Sequence, residues 1–290
     1  MTTELAFIDL LRALATHPAA RGLADDCAVL ELGSETLILT HDTMVEGVHV
    51  RLGGDPADIA WKLVAVNLSD LASKGAEPLG VLLGHALGDG DARFVDGLRE
   101  VLTAYDVPLL GGDTIKADGP RSWSLTALGR ATCHPVPSRS GAQPGDLVYV
   151  TGTLGAAMVA FDAGAAANPA LTRAYRRPEP RLSEGRALAP VVSAMMDVSD
   201  GLLLDCWRLA NASRVSIALD SGLIPVADPA RLAQCLRWGD DYELLFTLPP
   251  DTVPPIPATR IGQVSARGAA ALQLDGQPMT PDDGLGYEHG

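Results

Sequence analysis

Between residues 58 and 73 the chain reads as one long helix that is apolar almost all round, stopped at Gly75. A helix of that kind has no face suited to water and is expected to be enclosed by other elements. Around it the pattern alternates. Strands are expected at 35–40, ending at His41-Asp42, and at 79–86, with a helix at 91–105. A short strand at 107–110 runs into Gly111-Gly112-Asp113, and another is expected at 122–128. Such alternation predicts an α/β (α+β) fold.

Residues 133–146 carry three prolines, Gly141 and Gly145, and few apolar residues. A domain boundary is therefore placed near residue 137, dividing the chain into 1–137 and 138–290. The second half opens with a strand at 147–150 and a helix from Leu154. A Pro/Arg-rich linker at 176–181 leads to a further helix, then a strand–turn–helix unit at 194–212 and a strand at 242–247. Weak strands follow at 260–264 and 271–274. The first 18 residues read as a short amphipathic helix rather than a signal peptide, and no run reaches the ~18 apolar residues of a membrane span.

Net charge narrows the partners. The 290 residues carry 22 basic and 36 acidic side chains, a formal charge of −14. A surface this acidic argues against nucleic acid or anionic lipid, both of which need basic patches. Cys27, Cys133, Cys206 and Cys235 show no metal-ligand spacing and read as reduced and structural. A cytoplasmic protein is expected.

The acidic residues recur where predicted strands end: Asp25-Asp26, Asp42, Asp113, and Asp197 with Asp200 in Asp197-Val-Ser-Asp200-Gly201. Asp favours turns and helix caps in any protein, so none of these signifies much alone. Asp70 is different, because it sits inside the apolar helix, where an unpaired charge is too costly. Asn67, Asp70 and Lys74 share one face of that helix. Either Lys74 is the partner of Asp70, or a metal ion is. Clustered carboxylates suit Mg²⁺, a hard cation that takes oxygen ligands and leaves room for phosphate. No G-x-x-x-x-G-K-[ST] loop is present, and the chain has only the lysines Lys62, Lys74 and Lys116. In a nucleotide enzyme of this composition magnesium would have to neutralise the triphosphate. The turn at Ser199–Gly201 opens a helix whose first amides are expected to be free to meet a phosphate.

Taken together, the motifs resemble thiamine-monophosphate kinase. They are Leu23-Ala-Asp-Asp-Cys-Ala-Val-Leu, Thr40-His-Asp-Thr-Met-Val-Glu-Gly-Val-His49, Ala65-Val-Asn-Leu-Ser-Asp-Leu-Ala and Gly111-Gly-Asp-Thr114, followed by Arg139-Ser-Gly-Ala-Gln-Pro-Gly-Asp146, Thr151-Gly-Thr-Leu-Gly155, Asp197-Val-Ser-Asp-Gly-Leu202 and Asp240-Asp-Tyr-Glu-Leu244. The ending Gly286-Tyr-Glu-His289 fits as well, so the resemblance spans nearly the whole chain in order. It implies the two-domain fold of aminoimidazole-ribotide synthetase, with an N-terminal domain that binds ATP and magnesium and dimerises through its sheet. It also implies an ATP- and Mg²⁺-dependent kinase converting thiamine monophosphate to thiamine diphosphate. Carried over by position, Asp26, Asp42, Asp70, Asp113, Asp197 and Asp200 are expected to hold several magnesium ions, with Thr40 and the peptide at His41 assisting. Gly112, Asp113, Arg139 and Ser199 match nucleotide contacts; His49, Asp240 and Tyr287 match contacts to thiamine monophosphate. Four positions depart from the family pattern: Ala24 and Trp238 replace glycines, His41 a threonine and Asp240 a glutamate.

The acceptor is itself a phosphate with a second pKa near about 6, so it is largely anionic at neutral pH and needs no general base. The sequence accordingly holds no evident catalytic histidine–carboxylate pair. Direct in-line transfer is expected, with metal ions bringing two polyanions together.

Overall fold

The structure, a computed structural model, describes residues 4–116, 118–164 and 168–288. Two sheets organise it. The first is built from β1 (Ala28–Leu32), β2 (Glu35–Val45), β3 (Ala76–Ala86), β4 (Leu109–Ile115) and β5 (Ser122–Ala131), in the order β1-β2-β5-β3-β4. With it go α1 (Glu4–Arg12), α2 (Pro56–Ser73) and α3 (Asp91–Tyr105). The second sheet holds β6 (Leu147–Val150), β7 (Ala194–Asp197), β8 (Val215–Leu219), β9 (Leu244–Leu248), β10 (Thr259–Ala266), β11 (Leu272–Leu274) and β12 (Gln277–Met279). Its order is β12-β11-β8-β10-β6-β9-β7. The remaining helices are α4 (Ala156–Ala163), α5 (Pro169–Arg176), α6 (Leu182–Leu188), α7 (Leu202–Ser213) and α8 (Leu232–Cys235).

The predicted apolar helix is α2, and it lies between the two halves. Asp55 caps it by accepting the Ala57 amide, and Pro56 fits the first turn, where no amide partner is needed. α2 packs on β2, β3 and β5 on one side and on α6 and β7 on the other. This is why its apolar residues face every direction: Leu63, Val64, Leu68 and Leu71 are all fully buried. The core around it takes Ile38, Leu125 and Ala127 from the first sheet and Met195, Leu244, Phe246 and Leu248 from the second. The opposite side chains of the second sheet, Met196, Val148 and Leu245, join a separate core with Leu203 and Leu209 of α7. Period-two alternation along β7 and β9 thus feeds two cores from one sheet.

Two element expectations need correction. The strand predicted to stop at His41-Asp42 continues to Val45, and Gly111-Gly112-Asp113 lies inside β4 rather than after it. Asp42 and Asp113 are therefore strand residues and not loop residues. Each run is held by a neighbouring strand, β5 for β2 and β3 for β4, and that support is invisible to local propensity. At Gly112 an added Cβ would lie 1.9 Å from the Leu83 carbonyl oxygen, so β4 can pair with β3 there only through glycine.

Candidate active site

α2 carries polar side chains outward to four separate places. Asp70 accepts from the Thr40 hydroxyl of β2 and shares a hydrogen bond with Asp42. Ser69, one residue earlier, donates to Asp197 Oδ2 at the end of β7 (2.6 Å). Lys74, the residue just past the helix, reaches back to Asp25 (2.7 Å) and Asp26. Lys62, two turns before Asp70, bonds Asp240 in the loop before β9. One buried helix therefore fixes acids from both halves of the chain.

Carboxylate oxygens of Asp26, Asp70 and Asp197 lie within 4.8 Å of one another. So close a group of like charges resists ionisation. Burial, then the Asp42, Asp197 and Asp26 charges, push the Asp70 carboxyl well above its ordinary range. Burial and Asp26 raise Asp197 to about 8. Burial, with Asp200 and Asp26, raises Asp42 to about 6. The neighbouring Asp25 is opposite in sense: burial alone would raise it, but Lys74 and Arg21 hold it well below the carboxylate range. Asp26 is clamped by both Lys74 and Arg139, the latter through Nε at 2.8 Å and through Nη2. Lys74 is thus the partner of Asp25 and Asp26; the ion pair with Asp70 that the helical spacing allowed does not form. Asp42, Asp70 and Asp197, with no ion pair among the described residues, are the all-oxygen donors a magnesium ion needs, and Asp26 lies beside them.

Beside these acids opens a cavity of about 470 Å³. Asp42, Asp70, Asp197, Ser199 and Asp200 line one part of it, and His49, Trp238, Asp240 and Tyr287 another. The segment that delivers them is strained. Asp240 and Tyr242 have φ of 62° and 54°, which non-glycine residues rarely adopt. Their amides donate to the Ser199 and Val198 carbonyls at 2.7 and 2.8 Å, so the loop is pinned to the turn after β7. Strain held in place by its surroundings is a mark of functional loops. The tail docks on the same turn: the Tyr287 amide donates to the Asp200 carbonyl (2.9 Å), and a Cβ on Gly286 would come within 2.3 Å of that oxygen. His49 Nδ1 accepts from the Val45 amide (3.0 Å), which fixes its ring at the cavity wall.

Not every expected residue joins this group. Thr40 and Asp42 face α2, whereas His41, between them, points to the opposite face of the sheet, where Nδ1 meets Thr126 Oγ1 at 2.8 Å. Asp113 shares a cross-strand row with Gly84, Ser124 and Thr43, again on that outer face. Three strand spacings, roughly 14 Å, separate it from β2. The amides of Ser199 and Asp200 are not free for phosphate either: both donate to Asp205 Oδ2, at 3.2 and 3.1 Å. Asp200 itself is paired with Arg208. His289, at the end of the tail motif, lies outside the described residues.

Among the cavity residues that sequence reasoning missed are Lys62, Phe161, Tyr175 and Tyr242. Lys62 carried the same signal as Asp70, a charge inside an apolar helix. Phe161 and Tyr175 carried none, since an aromatic on a helix reads as core. Trp238 is 37% exposed and packs its ring on Phe161, with centroids 5.1 Å apart, so it lines the cavity rather than filling the core.

Comparison with known proteins fits this geometry. Residues 24–131 match the model of the AIR synthase related protein N-terminal domain, and residues 143–275 that of the C-terminal domain. The thiamine-monophosphate kinase of Escherichia coli K12 is 38% identical over 300 aligned positions, covering 92% of this chain and 91% of its own. The chain belongs to the thiamine-monophosphate kinase family. A solved structure of AaThiL complexed with AMPPCP and TMP superposes with a TM-score of 0.88 at 29% identity, covering 99% of this chain and 97% of that one. The kinase of Stenotrophomonas maltophilia K279a is 34% identical, with a TM-score of 0.76 and coverage of 95% and 96%. Members of this family thus share both domains and both sheets with the chain, and the acid cluster lies where the two halves meet.

Proposed function

We propose that this chain is an ATP-dependent kinase that phosphorylates thiamine monophosphate to thiamine diphosphate. The observation that carries the reading is the single cavity in which Asp42, Asp70 and Asp197 share walls with His49, Trp238, Asp240 and Tyr287. Polyanions can be handled at the first set once metal is bound, and an organic cation can rest against the second. An acceptor phosphate oxygen attacks the γ-phosphorus of ATP in line. The bond to the bridging oxygen breaks, and ADP leaves with the electron pair.

Asp26, Asp42, Asp70 and Asp197 would hold magnesium, with Thr40 fixing Asp70; Asp200, at the edge, would have to leave Arg208 to join them. Magnesium there would supply positive charge where charge accumulates in transfer. The chain's own residues do the rest. Arg139, which donates to Asp26, and Ser199, which lines the cavity, would flank the nucleotide. A coupled assay with thiamine monophosphate, ATP and Mg²⁺ tests the reading. ATP consumption that requires thiamine monophosphate and stops with EDTA is expected; consumption indifferent to the acceptor would refute it.

A homodimer belongs to this reading. All seven residues of the edge strand β4 are exposed, including Leu109, Leu110 and Ile115 at 48%, 55% and 52%. An apolar, unpaired edge is a surface that proteins normally cover. Gly112 and Asp113 lie on it, too far from β2 to share a metal with Asp42 of their own chain. Their expected role therefore requires a second copy, whose edge would carry them to the other site.

A further inference from the structure

Lys62 has no role in the reading above, yet it occupies a singular place. It is the one lysine or arginine among the described residues lining the 470 Å³ cavity, and its side chain is only 3% exposed. Its ammonium bonds Asp240 Oδ2 and lies 4.4 Å from the centroid of the Tyr175 ring. The other oxygen of Asp240 accepts from the Tyr242 hydroxyl at 2.8 Å. A carboxylate on a left-handed backbone is thus clamped from both sides, by one donor from each half of the chain.

The aromatic wall is divided by the same contact. Arg51 lies over Phe161 at 4.1 Å, as Lys62 lies over Tyr175. Among the described residues, Trp238 is the one ring of these three with no cation above it. A cationic ligand repels an ammonium already seated on Tyr175 and is attracted to an uncovered indole face. Lys62 also offsets the Asp240 charge, which would otherwise repel an incoming phosphate.

Resting on the function proposed above, we propose that Lys62 is a positioning residue that sets acceptor specificity. It fixes Asp240 for the acceptor's hydrogen-bonding groups and, held by Asp240 over Tyr175, leaves Trp238 as the face for the cationic ring. Lys62 acts through Asp240, and that makes it testable by a double-mutant cycle on Lys62→Met and Asp240→Asn.

Two quantities are read for each variant: the KM values for thiamine monophosphate and ATP, and calorimetric binding of thiamine monophosphate with Mg²⁺ and a non-hydrolysable ATP analogue. Lys62→Met is expected to raise the acceptor KM about tenfold and to leave that of ATP within about twofold, as loss of one partner of a buried pair at one end of a cavity would. The double variant should be no worse than the weaker single variant. If Lys62→Met does not fold, Lys62→Gln completes the same cycle. Multiplicative effects in the double variant, or equal rises in both KM values, would overturn the assignment while the kinase reading stands. A wild-type protein that neither binds nor phosphorylates thiamine monophosphate would overturn both.

Discussion

The Lys74 ammonium is hydrogen-bonded to the Asp26 carboxylate, 48 residues away in the chain, in a pocket where their side chains are 0% and 1% exposed. Asp70, one turn before Lys74 on the same face of α2, is left to Thr40 and Asp42. The two acids therefore answer differently to mutation. Lys74→Met strands Asp25 and Asp26 without their shared cation and should destabilise the protein by about 3–5 kcal/mol, measured by urea unfolding. Asp70→Asn removes one of several crowded charges. It should raise the melting temperature of the metal-free protein while lowering turnover by orders of magnitude.

Magnesium should stabilise the protein more at high pH than at low. Asp42 and Asp197 have folded values raised to about 6 and about 8, above the ordinary 3.8. Between about pH 4 and 8 the metal-free fold keeps protons that the unfolded chain has lost, so these groups make it less stable as pH rises. Metal replaces those protons and removes the penalty. The rise in melting temperature caused by Mg²⁺, followed by calorimetry, should grow from pH 5.5 to 8. A rise that is constant or shrinks over that range would exclude these acids as the metal's ligands.

Trp238→Gly should act on function rather than stability. The indole is partly exposed and meets Phe161 at the cavity in a tilted contact. Loss of a cation–π contact of roughly 0.5–2 kcal/mol corresponds to a several-fold rise in the acceptor KM, with that for ATP nearly unchanged. The melting temperature should move little. A large drop in melting temperature with unaltered acceptor kinetics would return Trp238 to the core.

On the edge strand, Leu110→Glu should convert a dimer to a monomer in sedimentation measurements. It should also reduce activity, because Asp113 would then serve no second site. Full activity of a monomeric variant would remove Gly112 and Asp113 from the reaction.

Asp113 shows where sequence stops being informative. The apolar circumference of α2 and the span of α3 were legible, and so was the choice of Asp26, Asp70, Asp197 and Asp240 as candidates, because periodicity and local motifs are properties of the chain itself. So was the family, since its motifs keep their order from Leu23 to Tyr287. What partners each charge was not legible. Spacing on a helix offered Lys74 to Asp70, but Asp25 and Asp26, brought in from a distant segment, took the Lys74 ammonium, with Arg139 clamping Asp26 from a second side. The faces of β2 and β4 were set by their pairing with β5 and β3, which put Asp42 under α2 and Asp113 on the far side. The residue type of Trp238 fits either a core filler or a pocket wall, and only its packing against Phe161 at the cavity made it a wall. Local pattern fixes which elements form; tertiary packing alone decides which side chains meet, because contacts between distant segments depend on positions the chain acquires only on folding.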